Sequence, residues 1–197
     1  MVNARIHEQF TFLIEALRLS EVLRQTLLPT SRRRENDAEH SWHLCLMVIV
    51  LAEHSNVPID LIKVLKMLVI HDLVEIDAGD TYAYDTARMA NQHEREALAA
   101  ERIFGLLPSD QGASLRACWD EFEARQTPEA KFAAALDRLQ PVLLNILTDG
   151  VKWREHGVTL PKVLARNGHA IEGSAAVWTY VRALLDEAVE KGSLPAA

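Results

Sequence analysis

His71 and Asp72 stand side by side in LIKVLKMLVIHDLVEIDA, an otherwise apolar run that reads as buried helix. An imidazole and a carboxylate buried there without partners would cost on the order of several kcal/mol, so hydrogen bonds or a cation must compensate them. Glu75 follows His71 by four positions and Asp72 by three, the spacing that lays its carboxylate over the same helical face. That face then presents one imidazole and two carboxylates near a helix C-terminus, where unpaired carbonyls favour a cation. Metal binding is the economical reading.

Two further donors come into range if their helices pack against this one: His40 in AEHSWH and Asp137 in ALDRLQP. Pro141 lies four residues beyond Asp137 and removes the helical bond to its carbonyl, a disruption of about 3 kcal/mol that a kink would relieve while aiming Asp137 inward. Two imidazoles and two carboxylates leave room for water and suit manganese, cobalt, iron or magnesium better than zinc. The run Arg32-Arg33-Arg34 is too short to track a polymer backbone but long enough to meet one or two phosphates with bidentate forks, and Arg34 is the first candidate.

The elements that must position these groups all read as helices. Phe10, Leu13, Ile14, Leu17 and Leu27 recur at helical spacing between Ile6 and Leu28, and Pro29 closes that run. Asn36 or Asp37 caps a second helix from about Ala38 to Asn56, with His40 in its first turn. Asp60 caps a third, which reaches Gly79 and is expected to be the central, most buried one. A loop from Asp80 to Thr86 leads to a fourth over Ala87–Phe104 and a fifth over Asp110–Ala124, while Thr127 and Pro128 open the helix that carries Asp137. A last helical region follows Pro161, breaks near Gly168 and resumes over Ala175–Glu190. The expected fold is an all-α bundle, one domain over 1–197 with its core over about 36–150 and C-terminal helices over about 161–191.

Composition narrows the function classes. With 49% hydrophobic and 25% charged residues the chain has the balance of a folded globular protein. A net charge of -7 lacks the positive field that polymeric nucleic acid requires, so a small phosphorylated ligand is the expected partner. No signal-peptide pattern opens the chain and no apolar run spans a membrane, so the expected location is cytoplasmic. Cys45 and Cys118 lack metal or redox spacing and read as buried free thiols.

Taken together, ENDAEHSWH, MLVIHDLVEIDAGDT, TPEAKFAAALDRLQP and KWREH make most of the chain similar to HD-domain phosphohydrolases, and it resembles the branch that contains bacterial 5'-deoxynucleotidases. The resemblance implies that His40, His71, Asp72 and Asp137 hold one divalent cation, that Glu75 and Asp80 assist the attacking water, and that the protein is a homodimer cleaving a (deoxy)nucleoside 5'-monophosphate. The branch typically carries an Arg-Trp pair after its first helix. Here Arg24 is followed by Gln25, which keeps Arg24 as a phosphate-contact candidate and leaves the base and sugar preference open.

Other residues take plainer readings. His43 is expected to pack behind His40, His93 to lie on a solvated face, and Trp42, Trp119 and Trp153 to anchor core or interface. Asp77 ranks behind Asp80 because it is one step off the HD face. Two other function classes fit less well: a di-iron oxygenase, for which the histidines after the HD pair are too few, and a silent metal- and nucleotide-binding regulatory module, against which Glu75 and Asp80 argue.

Overall fold

In the computed structural model, which describes residues 3–80 and 91–197, the chain is an all-α bundle with one small β-hairpin inserted near its start. Helix α1 spans Ala4–Ala16, and a 3-10 turn continues it over Leu17–Glu21. The single helix expected up to Leu28 stops there, because Leu23–Leu27 forms strand β1 and pairs antiparallel with β2, Arg34–Asn36. The register is irregular between Leu23 and Leu27, and β1 keeps the strand's alternation, so Arg24 and Thr26 share one face. This hairpin is the main departure from the helical reading. Five residues of alternation are too few to stand out beside apolar residues that also fall at helical spacing.

Helix α2, Asp37–Leu51, begins with a capping box: the Glu39 amide donates to Asn36 Oδ1 at 2.9 Å and the Asn36 amide to Glu39 Oε2 at 3.2 Å. Asp60 caps α3, Leu61–Ile70, through the Lys63 amide. The helix expected to run on to Ala78 changes pitch at the HD pair: His71–Val74 is a 3-10 turn and α4 covers only Glu75–Ala78. Trp119 Nε1 donates to the His71 carbonyl at 3.2 Å, which satisfies an oxygen that the changed pitch frees. Gly79 follows with φ 72°, a left-handed backbone that turns the chain at Asp80.

Helix α5 is described over Gln92–Phe104; the expected loop through Thr86 and helix start at Ala87 lie outside the described residues. Next come α6, Ser109–Ala124, and α7, Pro128–Leu147, with Thr127 as cap and Pro128 in the first turn. Helix α7 continues through Pro141 as one element and, rather than α3, is the most deeply buried. Ala133, Ala134 and Ala135 let neighbours approach it from several sides. Helices α8, Val151–Glu155, α9, Leu160–Asn167, and α10, Ala175–Glu190, close the bundle, with a 3-10 turn over Gly168–Glu172 where the break near Gly168 was expected.

Helix α7 joins two packed regions. Its N-terminal half, with Phe132 and Leu136, packs against Leu44, Val48, Val64, Met67 and Leu68 of α2 and α3. Its C-terminal half, with Leu139 and Val142, packs against Trp153, Val163, Val181 and Leu185. A third cluster, around Leu73, Ile103, Phe104 and Trp119, holds the HD turn from the opposite side. The candidate chemistry lies on the seam where α2, the HD turn, α7 and the hairpin meet.

Candidate metal centre

Each element delivers its groups by its own periodicity. The first turn of α2 carries Asp37 and His40, the 3-10 turn carries His71 and Asp72, α7 carries Asp137 and Gln140, and β1 carries Arg24 and Thr26. His40 and Asp37 are fully buried, and His71, Asp72 and Glu75 are buried.

Donor atoms of His40, His71 and Asp72 lie within 4.8 Å of one another, the spread of a cation's ligand shell. His40 Nε2 is 3.1 Å from Asp137 Oδ1 and 3.8 Å from Asp72 Oδ2. His71 Nε2 is 3.1 Å from Asp72 Oδ1 and 3.6 Å from Asp137 Oδ1. All four residues expected from sequence to hold a cation therefore converge.

The far side of each imidazole decides which nitrogen offers a lone pair. His71 Nδ1 donates to the Leu68 carbonyl at 2.9 Å. His40 Nδ1 lies 3.0 Å from Gln140 Oε1, and the Gln140 amide is oriented by its own Nε2, which donates to Glu35 Oε1 at 2.6 Å. With both Nδ1 atoms protonated, both Nε2 atoms turn lone pairs toward carboxylate oxygens, and His71 Nε2 is buried without a hydrogen-bond partner. Such a contact is repulsive unless a positive charge lies between, so the donor set fits a divalent cation. With a proton as the only available cation, burial would lower the His71 pKa, but Asp72 and Asp137 outweigh it and push it up to about 9. Burial opposes the Asp137 charge as well, but the His40 and His71 rings hold its pKa well below the usual carboxylate range.

A second group shares Asp72. Donor atoms of Asp37, Asp72 and Glu75 also fall within 4.8 Å of one another, because Asp72 and Glu75 eclipse at three-residue spacing beside the start of α2. Arg24 Nη1 donates to Asp37 Oδ1 at 2.9 Å and to Asp72 Oδ2 at 2.8 Å. Burial and then Asp72 raise Asp37 to about 7, partly offset by Arg24. Burial, Asp72 and Asp37 drive Glu75 well above its ordinary value. Asp80 is raised by burial, with Arg24 opposing.

The expected phosphate contacts differ in placement. Arg24 lines the cleft beside Asp72, Glu75, Asp80 and Asp137, whereas the Arg34 guanidinium is bonded to the carbonyls of Leu23 and Arg24 and braces the hairpin. Gln25 also lines the cleft. So do Arg125, Arg138, Lys152 and Arg166, none of which the sequence reading singled out. Arg138 adjoins Asp137 on α7, its Nε 3.9 Å from Asp137 Oδ2, and the RLQP context held no signal of that role. Asp37 and Gln140 were missed as well; the acid immediately before AEH was a usable hint for Asp37. His43 is half-buried beside Gln140 Nε2 at 3.3 Å, His93 is exposed, and Trp119 and Trp153 are buried while Trp42 is exposed.

Comparison with known proteins agrees with this geometry. Residues 16–178 match the family model of the HD domain. The crystal structure of a predicted metal-dependent phosphohydrolase from Magnetospirillum magnetotacticum MS-1 superposes with TM-score 0.93 at 51% identity, covering 97% of this chain and 96% of that one. An HD-domain phosphohydrolase from Listeria innocua shares the fold, with TM-score 0.57 at 17% identity over 94% of this chain and 99% of that one. The human 5'-deoxynucleotidase HDDC2 is 28% identical over 112 residues, 57% of this chain and 53% of its own. The chain spans about half the length of the curated relatives it matches. With the family match running from the end of α1 into α10 and the donor set gathered on one seam, the chain belongs to the HD-domain family.

Proposed function

We propose that the protein is a metal-dependent phosphohydrolase that cleaves the phosphate monoester of a (deoxy)nucleoside 5'-monophosphate. The observation that carries this reading is the pair of imidazoles whose Nδ1 atoms are locked by Leu68 and Gln140 while both Nε2 atoms face Asp72 and Asp137. His40, His71, Asp72 and Asp137 would hold one divalent cation, with manganese, cobalt, iron or magnesium preferred over zinc. A cation there supplies Lewis acidity toward a phosphoryl oxygen and makes water a stronger nucleophile near neutral pH.

The remaining chemistry belongs to the side chains. Glu75, its pKa driven well above the ordinary carboxylate value by burial and by Asp72, is the carboxyl that would exchange a proton with the attacking water, and Asp80 stands beside it in the cleft. Arg138 and Lys152 line the same cleft as cationic partners for substrate phosphate, Lys152 from a pairing with Glu155, and Arg24 faces it with Nη1 engaged by Asp37 and Asp72. The names of the 5'-deoxynucleotidase relatives support the nucleotide as substrate. Gln25 in place of an aromatic platform supports a weaker discrimination between deoxyribose and ribose.

The same reading takes 1–197 as one domain working in the cytoplasm, where Cys45 and Cys118 stay free thiols, and as a homodimer. An apolar stripe of Ile6, Phe10, Leu13 and Leu17 is exposed along α1 and its continuation, and Trp42, Ile49 and Val50 are exposed on α2, which supports pairing with a second copy. No helix among the described residues is long and apolar enough to cross a membrane.

The test is phosphate release by metal-stripped protein, reconstituted with manganese, cobalt, magnesium or zinc, against ribo- and deoxyribonucleoside monophosphates. Metal-dependent release that Asp72→Ala abolishes is expected. Cation binding without release from any monophosphate would refute the monophosphatase reading.

A further inference from the structure

Two donor groups overlap at Asp72. One is built of His40, His71 and Asp72; the other is built of Asp37, Asp72 and Glu75, and in each the donor atoms lie within 4.8 Å of one another. On donor type and spacing alone both would take a divalent ion, with Asp72 as the bridge. The difference between them is a side chain. Arg24 Nη1 stands 2.9 Å from Asp37 Oδ1 and 2.8 Å from Asp72 Oδ2, within the all-carboxylate group, and its Nε is 3.8 Å from Glu35 Oε2.

We propose that Arg24 is the resident cation of a second metal position, and that it makes this centre mononuclear by filling the place a second ion would take. The inference rests on the reading that His40, His71, Asp72 and Asp137 hold the first ion. A guanidinium is planar, permanently charged and able to fork between two carboxylates, so it neutralises part of the negative charge there at fixed geometry. It is one charge against three carboxylates and cannot satisfy every oxygen. Asp37 Oδ2 and Glu75 Oε2 remain buried and receive no N–H or hydroxyl donor from the chain, so the two acids face each other across the group.

Strand periodicity explains why a residue so far in sequence from the HD pair reaches this position. Arg24 and Thr26 lie on the same face of β1, and Thr26 Oγ1 donates to Glu35 Oε2 at 2.8 Å, pinning the strand to β2 and to the Gln140–His40 chain. The Arg34 guanidinium on the Leu23 and Arg24 carbonyls fixes the strand from its other side. Arg24 is therefore held in place by the hairpin rather than by its own contacts alone. Opening the second position requires its removal.

The experiment counts ions. Full-length, metal-stripped protein is titrated with manganese alone, bound ions per chain are measured by equilibrium dialysis, and the spin state is read by electron paramagnetic resonance. Wild type is expected to bind one ion with an uncoupled six-line signal. Arg24→Ala is expected to bind two with a spin-coupled signal, Arg24→Lys to stay at one, and the double variant Arg24→Ala/Asp37→Asn to return to one. A folded Arg24→Ala chain that still binds one ion overturns the inference and leaves the first site standing. Wild type that binds a second ion lost on Asp37→Asn overturns it without need of any Arg24 variant, and wild type that binds none overturns both the inference and the metal reading beneath it.

Discussion

Two buried regions flank α7 and treat polar groups in opposite ways. In the C-terminal core around Leu139, Trp153, Val163 and Leu185, neutral polar side chains donate to main-chain carbonyls: Asn167 Nδ2 to Val163, Asn145 Nδ2 to Pro141, Thr148 Oγ1 to Leu144 and Ser174 Oγ to His54, while Asn145 Oδ1 accepts no hydrogen bond. In the seam around Asp72, His71 Nε2, Asp37 Oδ2 and Glu75 Oε2 are buried without hydrogen-bond partners, and two imidazoles face carboxylates. The first arrangement minimises the free energy of folding; the second leaves unmet valence for a ligand. Buried acids that serve stability alone would have acquired donors from the chain itself.

Mutation should separate the two regions. In the seam, Glu75→Gln is expected to slow turnover by roughly 10²- to 10⁴-fold while manganese still binds, because it removes a proton-transfer group and not one of the four proposed ligands. Kinetics together with a metal titration check this, and loss of metal instead would move Glu75 into the ligand set. In the dry core, Leu185→Ala should reverse that pattern. Leu185 is fully buried, so truncation should cost about 2–5 kcal/mol of stability in denaturant unfolding and leave metal affinity unchanged.

Gln140 joins the two descriptions, since it is a fully buried residue of α7 that links His40 Nδ1 to Glu35 and lies beside His43. Gln140→Ala is expected to weaken metal affinity about 10- to 100-fold, read by competition with a chelator. An unchanged affinity would show that the His40 orientation is set elsewhere. The smallest effect should come from the surface, where Arg5 Nη1 pairs with Asp110 Oδ1 at 2.8 Å and that hydrogen bond holds Asp110 down to about 2 from an ordinary 3.8. Between these values the unfolded chain binds the extra proton, so the pair's contribution is complete above about pH 4 and fades as pH falls toward 2. Acid unfolding of Asp110→Asn should lose a slight pH dependence in that window; an identical acid profile would mean that solvent screens the pair completely.

Much of this seam was legible before the fold was known, for a physical reason. His71 and Asp72 are ionisable residues in an otherwise apolar run, and polarity in an apolar context is visible in one dimension, whereas His40 in DAEHSWH and Asp137 in ALDRLQP stood out through the resemblance of their segments to the HD-domain family. Asp37 and Gln140 were not legible. An acid at the start of a helix ordinarily serves the cap and the dipole, and Gln140 acquires meaning only from Glu35, which is 105 positions away. The hairpin escaped notice because β1 and β2 are short and their partnership is tertiary. The placement of Arg24 against Asp72 and of Arg34 against the strand carbonyls could not be seen without it. The cleft arginines Arg125, Arg138 and Arg166 come from separate elements, and only packing makes them one lining.

The central claim is that one divalent cation sits between His40, His71, Asp72 and Asp137, and a crystal of the protein grown with manganese tests it most directly through anomalous scattering at the manganese edge. A single anomalous peak within bonding distance of both Nε2 atoms and of the Asp72 and Asp137 carboxylates is the predicted result. A peak elsewhere, or none at a manganese concentration that saturates the protein in solution, would contradict it.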